Sequence, residues 1–138
     1  MILGDLPDRA LLLIDSSPLI YFLEDHPKFS AKFEPVFEAQ AAGRVRFAVT
    51  TITIAEVMIG PLRSGDERTA REYRLLLESW QVLPLSIDIA EAAARMRTAL
   101  RLGLPDAVQV ASALSINADA LVTHDRDFSR LRSIRVIC

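Results

Sequence analysis

Residues 10–23 read ALLLIDSSPLIYFL, and the first half of that stretch constrains the fold more than any other part of the chain. Leu11 to Ile14 is an unbroken apolar run. A strand is apolar on both faces only when both faces are covered, as in a parallel sheet sandwiched between helices. One acid, Asp15, ends the run. Ser16 and Ser17 are good N-cap residues and Pro18 suits the first position of a helix, so Leu19 to Leu23 reads as a helix start. Asp15 is thereby placed at the carboxyl end of a buried strand, where open α/β sheets hold their ligands. Taken alone, Asp15 serves equally well as an acceptor that closes the turn.

The rest of the chain repeats the alternation of strand and helix, with short connections and no repeat or low-complexity tract. That pattern predicts an α/β fold with a mainly parallel sheet of four or five strands flanked by helices. Ser30 to Ala42 has Phe33, Val36, Phe37 and Ala41 at helical spacing, and Gly43 stops it. Arg46 to Val49 reads as the second strand. Two helices follow, Ile54 to Gly60 and Asp66 to Ser79, split by Pro61 and Gly65. Trp80 to Leu85 reads as the third strand, and Asp88 to Leu102 as a helix with Ile89, Ala93, Met96 and Leu100 on one face. Gly103 ends that helix and Pro105 opens the next, Asp106 to Ile116. Ala120 to Thr123 is the fourth strand, and Arg135 to Ile137 leaves room for a short fifth.

The 138 residues suit one domain, 1–138, large enough to bury about two-thirds of its unfolded surface. No apolar run approaches the roughly 18 residues that span a bilayer. The amino terminus, MILGDLPDRA, lacks the pattern of a secretory signal, and the one cysteine, Cys138, forms no internal disulfide or cysteine-based metal site. A reducing, cytoplasmic setting is the expectation. Net charge is −2, which gives no global pull toward nucleic acid or an acidic membrane. Lys28 and Lys32 are the only lysines; the other basic residues are arginines, which suit forked phosphate contacts but follow equally from coding bias.

Three further acids stand out by position. Glu56 follows the second strand, although Thr53 to Glu56 also spells a capping box. Asp106 lies just after Pro105, where the helix dipole favours an acid in any case. Asp125 follows the fourth strand and fits an Asx turn. Each has an innocent reading, but in a parallel sheet the strand ends share one edge, which gathers Asp15, Glu56 and Asp125, with Asp106 joining from a helix start. Carboxylates so gathered repel, and a divalent cation relieves the repulsion. Oxygen ligands suit Mg²⁺ or Mn²⁺, while the lack of a Cys/His cluster argues against zinc.

Four segments, LLLIDSSPLIYFLE, TTITIAEVMIG, LPDAVQVASAL and ALVTHDRDF, resemble the PIN-domain family in order and spacing. Within it they are most similar to the VapC-like toxins of type II toxin–antitoxin pairs. The resemblance maps the family's acids onto Asp15, Glu56, Asp106 and Asp125, with Asp127 a neighbouring acid. Ser16, Ser17 and Thr123 match its small polar positions, where hydroxyls orient carboxylates. His124 stands where such proteins often have Arg or Asn, and is expected to be an exposed turn residue.

The resemblance implies a single PIN-like domain that is a Mg²⁺- or Mn²⁺-dependent endoribonuclease. Asp15, Asp106 and Asp125, with Glu56 directly or through water, would hold the metal, and cleavage would leave a 5′-phosphate and a 3′-hydroxyl. It also implies single-stranded or loop RNA as substrate, a cognate antitoxin and a homodimer, with no membrane partner. Arg126 is a candidate phosphate contact. Arg68, Arg71 and Arg74 form either a basic stripe or an ordinary solvated helix face, with Tyr73, Leu76, Leu77 and Trp80 turned inward. A PIN ribonuclease of RNA processing and a catalytically silent RNA- or partner-binding module are the alternatives. A dehalogenase-like phosphatase fails because Ser17 stands where a second Asp is needed, and a receiver domain because both lysines come too early. Dinucleotide and P-loop binding lack a glycine-rich turn.

Overall fold

The protein is described by a computed structural model over residues 3–138. Its elements run β1 (Ala10–Ile14), α1 (Ser16–Leu23), α2 (Ser30–Ala41), β2 (Val45–Thr50), α3 (Thr51–Arg63), α4 (Glu67–Glu78), β3 (Gln81–Leu83), α5 (Ile87–Leu100), α6 (Leu104–Ser115), β4 (Ala120–Val122) and β5 (Val136–Ile137). A single turn of 3-10 helix, Arg126–Arg130, lies between the last two strands. The expected alternation is present, and the short fifth strand completes the sheet.

All five strands are parallel and lie side by side in the order β3-β2-β1-β4-β5. The chain steps outward from β1 to β2 and β3, then returns across β1 to place β4 on its other side. The point of return, between β1 and β4, is where a doubly wound sheet opens a crevice at its carboxyl edge. In β1 the side chains alternate between two cores. Leu12 and Ile14 pack with Phe33, Val36, Phe47 and Val57 beneath α1 to α4. Leu11 and Leu13 pack with Ala93, Val108, Ala111 and Phe128 beneath α5 and α6. Both faces are therefore covered, which is why the strand is apolar without interruption.

The element boundaries shift in ways that matter for the site. The first helix begins at Ser16 and its cap is Asp15, not Ser16 or Ser17. α3 begins at Thr51 rather than near Ile54, and its cap is Thr50, whose hydroxyl accepts from the Thr53 amide at 3.2 Å. That moves Glu56 into the second turn and removes the capping box expected between Thr53 and Glu56. Pro61 lies inside α3 instead of ending it, two residues before the helix stops at Arg63. α5 ends at Leu100, before Gly103, through Arg101 in the left-handed region at φ 57°. Gly103 caps α6, so Pro105 occupies its second turn-forming position and Asp106 its first turn. Leu100 is exposed rather than on the buried face, as are Ala41 and, in α4, Leu76. Among the described residues no helix is long and apolar enough to cross a membrane.

Candidate active site

Asp15 leaves the buried end of β1 and is only 8% exposed. Its Oδ1 accepts from the Ser16 amide at 3.0 Å and from Gln109 Nε2 at 2.9 Å, and its Oδ2 from Thr123 Oγ1 at 2.9 Å. A buried carboxylate is costly unless its oxygens are bonded, and here three neutral donors do that work with no Lys or Arg ion pair among the described residues. The cap reading of Asp15 holds, and the same oxygen that closes the turn also meets Gln109.

Gln109 is buried at 2% exposure in the middle of α6 and ties three elements together. Thr50 Oγ1, at the end of β2, donates to its Oε1 at 2.8 Å. With that oxygen occupied, Nε2 is aimed at Asp15 Oδ1 and at Thr53 Oγ1, the latter also 2.8 Å away. Thr53 and Thr123 are fully buried. Sequence reasoning missed Gln109, Thr50 and Thr53. The signal available for Gln109 was a polar residue inside the apolar run Ala107 to Ala113, three positions beyond Asp106, where only a partnered side chain is tolerated.

Asp106, half-buried in the first turn of α6, has its carboxyl pushed up to about 6. Burial is the largest cause, followed by repulsion from Asp15, Asp125, Asp127 and Glu56. Glu56 is raised as well, by burial first and then by Asp15, while a hydrogen bond with Ser16 pulls it back. Asp125 caps the 3-10 turn: its amide donates to Thr123 Oγ1 at 3.1 Å and its Oδ1 accepts from the Asp127 amide at 2.8 Å. The Asx-turn reading of Asp125 is thus also present. Asp127 is exposed and lines a neighbouring hollow of about 360 Å³ with Arg101, Leu102 and Arg130. Ser17 is half-buried, one residue further along α1.

The four expected acids and Asp127 therefore share one field at the carboxyl edge of the sheet, at the β1/β4 crevice. The donor set is all carboxylate, with hydroxyls and an amide behind it, which is the chemistry of a hard divalent ion. As they stand, no three His, Cys, Asp or Glu side chains among the described residues form a closed metal cage. Mg²⁺ needs no such cage, because it commonly takes one or two carboxylates and completes its shell with water and substrate phosphate.

His124 is not the exposed turn residue expected. It is half-buried, its ring packs on Phe29 at 4.5 Å and Tyr21 at 5.2 Å between centroids, and its Nδ1 lies 3.5 Å from Lys32 Nζ. The arginines of α4 resolve as a solvated face: Arg68 pairs with Glu72 at 3.3 Å and Arg74 with Glu78 at 2.5 Å, each four residues on. Tyr73, Leu77 and Trp80 do turn inward.

Comparison with known proteins adds a family. The model for the PIN domain matches residues 12–134. A toxin–antitoxin complex from Klebsiella pneumoniae is 26% identical, with a TM-score of 0.73 over 92% of this chain and 96% of that one. VapBC-1 from nontypeable Haemophilus influenzae is also 26% identical, with a TM-score of 0.69 over the same shares, 92% and 96%. VapC20 of Mycobacterium tuberculosis, a sarcin–ricin-loop-cleaving toxin, shares the fold at 15% identity, with a TM-score of 0.70 over 86% of this chain and 92% of that one. No curated protein matches in sequence.

Proposed function

The chain belongs to the PIN domain family, and from that premise we propose that it is a divalent-metal-dependent endoribonuclease and the toxin of a VapBC-type pair. The observation that carries this reading is the gathering of Asp15, Glu56, Asp106, Asp125 and Asp127 at one edge of the sheet, where burial and repulsion from the other four push the Asp106 carboxyl up to about 6 and no ion pair among the described residues involves any of the five. Such a cluster is unstable as a structural device and useful as a cation site. The antitoxin half of the reading is supported by the 26%-identical toxin–antitoxin complexes from Klebsiella and Haemophilus, each matched along nearly its whole length. A homodimer belongs to the same reading.

In this account Asp15, Asp106 and Asp125 hold Mg²⁺ or Mn²⁺, with Glu56 beside them directly or through water. When bound, the metal supplies charge neutralisation at the phosphate and activation of water. The remaining work is done by the chain. Gln109 and Thr123 each fix one oxygen of Asp15, so the carboxylate cannot turn away when the acids around it repel it. Thr50 and Thr53 fix Gln109 in turn. Holding ligands in their bound orientation beforehand removes a reorganisation cost from each turnover. The reaction is hydrolysis: a water oxygen bonds to phosphorus, the bond from phosphorus to the 3′-oxygen breaks, that oxygen takes up a proton, and the phosphate stays on the 5′ side. No side-chain nucleophile takes part.

The test is incubation of the purified chain with cellular RNA and Mg²⁺, with mapping of new 5′-phosphate ends. The reading expects cuts that disappear in Asp15→Asn while the fold is retained. Equal cutting by Asp15→Asn would overturn it. Growth arrest on expression, relieved by a co-expressed antitoxin, would separate a toxin from an RNA-processing enzyme.

A further inference from the structure

The chain has two histidines and two lysines, and all four meet beside the acid site in a cluster that the reaction above does not use. His26 caps the turn into α2: its Nδ1 accepts from the amides of Lys28 and Phe29, both at 3.1 Å. Its ring lies 5.0 Å from Tyr21 and 5.0 Å from Phe29 between centroids. Phe29 in turn lies 5.1 Å from Tyr21 and 4.5 Å from His124, the residue that immediately precedes Asp125. Fully buried Phe33 forms the floor, while Tyr21, His26, Phe29 and His124 are half-buried. Lys28 Nζ stands 5.2 Å from the centre of the Phe29 ring and Lys32 Nζ 5.4 Å from that of Phe33.

Packing accounts for Phe33. It accounts in part for Tyr21, which lies against the core, but not for the part-exposed rings of His26, Phe29 and His124 gathered with the chain's only two lysines. The placement answers a difficulty of the acid site, which repels the polyanion it has to receive in a protein of net charge −2. Rings and cations interleaved in one patch match the alternation of bases and phosphates along a single strand. Of the acids in the same segment, Glu24 reaches toward Gly60 of α3, while Asp25 and Glu34 line a separate hollow with Phe22 and Ser30.

We propose that Tyr21, His26, Phe29 and His124, with Lys28 and Lys32, form the docking platform for single-stranded RNA flanking the scissile phosphate. Bases stack against the rings, the two ammonium groups contact the adjoining phosphates, and the strand passes from His124 to Asp125 into the acid cluster. Exposed Arg126, next along the chain, extends the cationic side. The inference rests on the ribonuclease reading for what lies at the end of the platform, but the platform is tested by binding alone.

Fluorescence anisotropy of a short, labelled, mixed-sequence single-stranded RNA tests it in an Asp15→Asn background, where no cleavage intervenes. Lys28→Gln with Lys32→Gln should weaken binding and reduce the slope of log affinity against log salt by about 1.4, two phosphate contacts at the single-strand value. Phe29→Leu should weaken it roughly ten-fold with the slope unchanged, and Phe29→Tyr should keep it, because a ring is what stacking requires. The lysines are exposed, so their variants do not depend on refolding of the ring cluster. Unchanged RNA affinity in the lysine pair and in Phe29→Leu would overturn the proposal, as would loss of antitoxin binding with RNA binding intact. If the parent cleaves RNA and the platform variants bind it normally, the platform alone fails. If ring-dependent binding is found but the Asp15 chain cuts no RNA, the nuclease reading fails and the platform stands.

Discussion

Asp106 shows how much of the site rests on single side chains. Its carboxyl has an ordinary value of 3.8 and is pushed up to about 6 in the folded chain. Between those values the folded state holds more protons than the unfolded one, so this group's stabilising contribution is complete below pH 3.8 and is lost as pH rises through about 6. Glu56 acts in the same direction. Thermal melts of the metal-free protein should therefore show stability from these groups declining across that interval, and Asp106→Asn should flatten the decline. Gln109 gives a second prediction. Gln109→Leu strips Asp15 of a donor and leaves the Thr50 hydroxyl only the longer 3.4 Å contact with Thr53, so melting should show a loss of about 1–3 kcal/mol. RNA cleavage should fall roughly 10- to 100-fold, the usual effect of removing a residue that orients a ligand. The acids themselves were legible in the sequence because each follows an apolar strand or opens a helix. Gln109 was not, because a lone amide in a helix announces its partner only when β2 and β1 are brought against α6.

At the scale of elements, the strand-to-helix junctions carry the site. Both α1 and α3 start without a connecting loop, one capped by Asp15 and the other by Thr50, so each cap residue also faces the crevice. The true start of α3 was hidden in the sequence because Thr50, Thr51 and Thr53 are all able caps. Choosing Thr53 made Glu56 look like half of a capping box, and the structure frees it for the acid cluster. The cap at Ser86 offers a control far from the chemistry: Ser86→Ala removes the acceptor for the Ile89 amide, should lower stability by about 1 kcal/mol in a denaturant titration, and should leave cleavage per folded molecule unchanged. On α4, the pairs Arg68–Glu72 and Arg74–Glu78 are exposed helix pairs, and Arg68→Gln should leave the melting temperature unmoved within error.

For the whole molecule, the sheet order decides where the acids meet. Alternating strand and helix segments announced a parallel sheet, and the apolar run from Leu11 to Ile14 announced a central strand. The order β3-β2-β1-β4-β5 was not readable, since local pattern does not say on which side of β1 the fourth strand returns. That return sets Thr123 within hydrogen-bond reach of Asp15 and brings Asp125 to the same edge as Glu56. It also carries His124 against the α1–α2 segment, ninety-odd residues away in sequence, so a histidine that reads locally as a turn residue becomes part of an aromatic cluster.

The central claim is that these acids form one cation site, and calorimetric titration of Mn²⁺ into the purified chain tests it most directly, alongside Asp15→Asn and Asp106→Asn, which keep shape and remove charge. The account predicts saturable binding by the parent at neutral pH, weakened as pH falls through about 6 and lost in both variants. Binding that survives in both variants, or a parent that binds no Mn²⁺ with or without RNA, would contradict it.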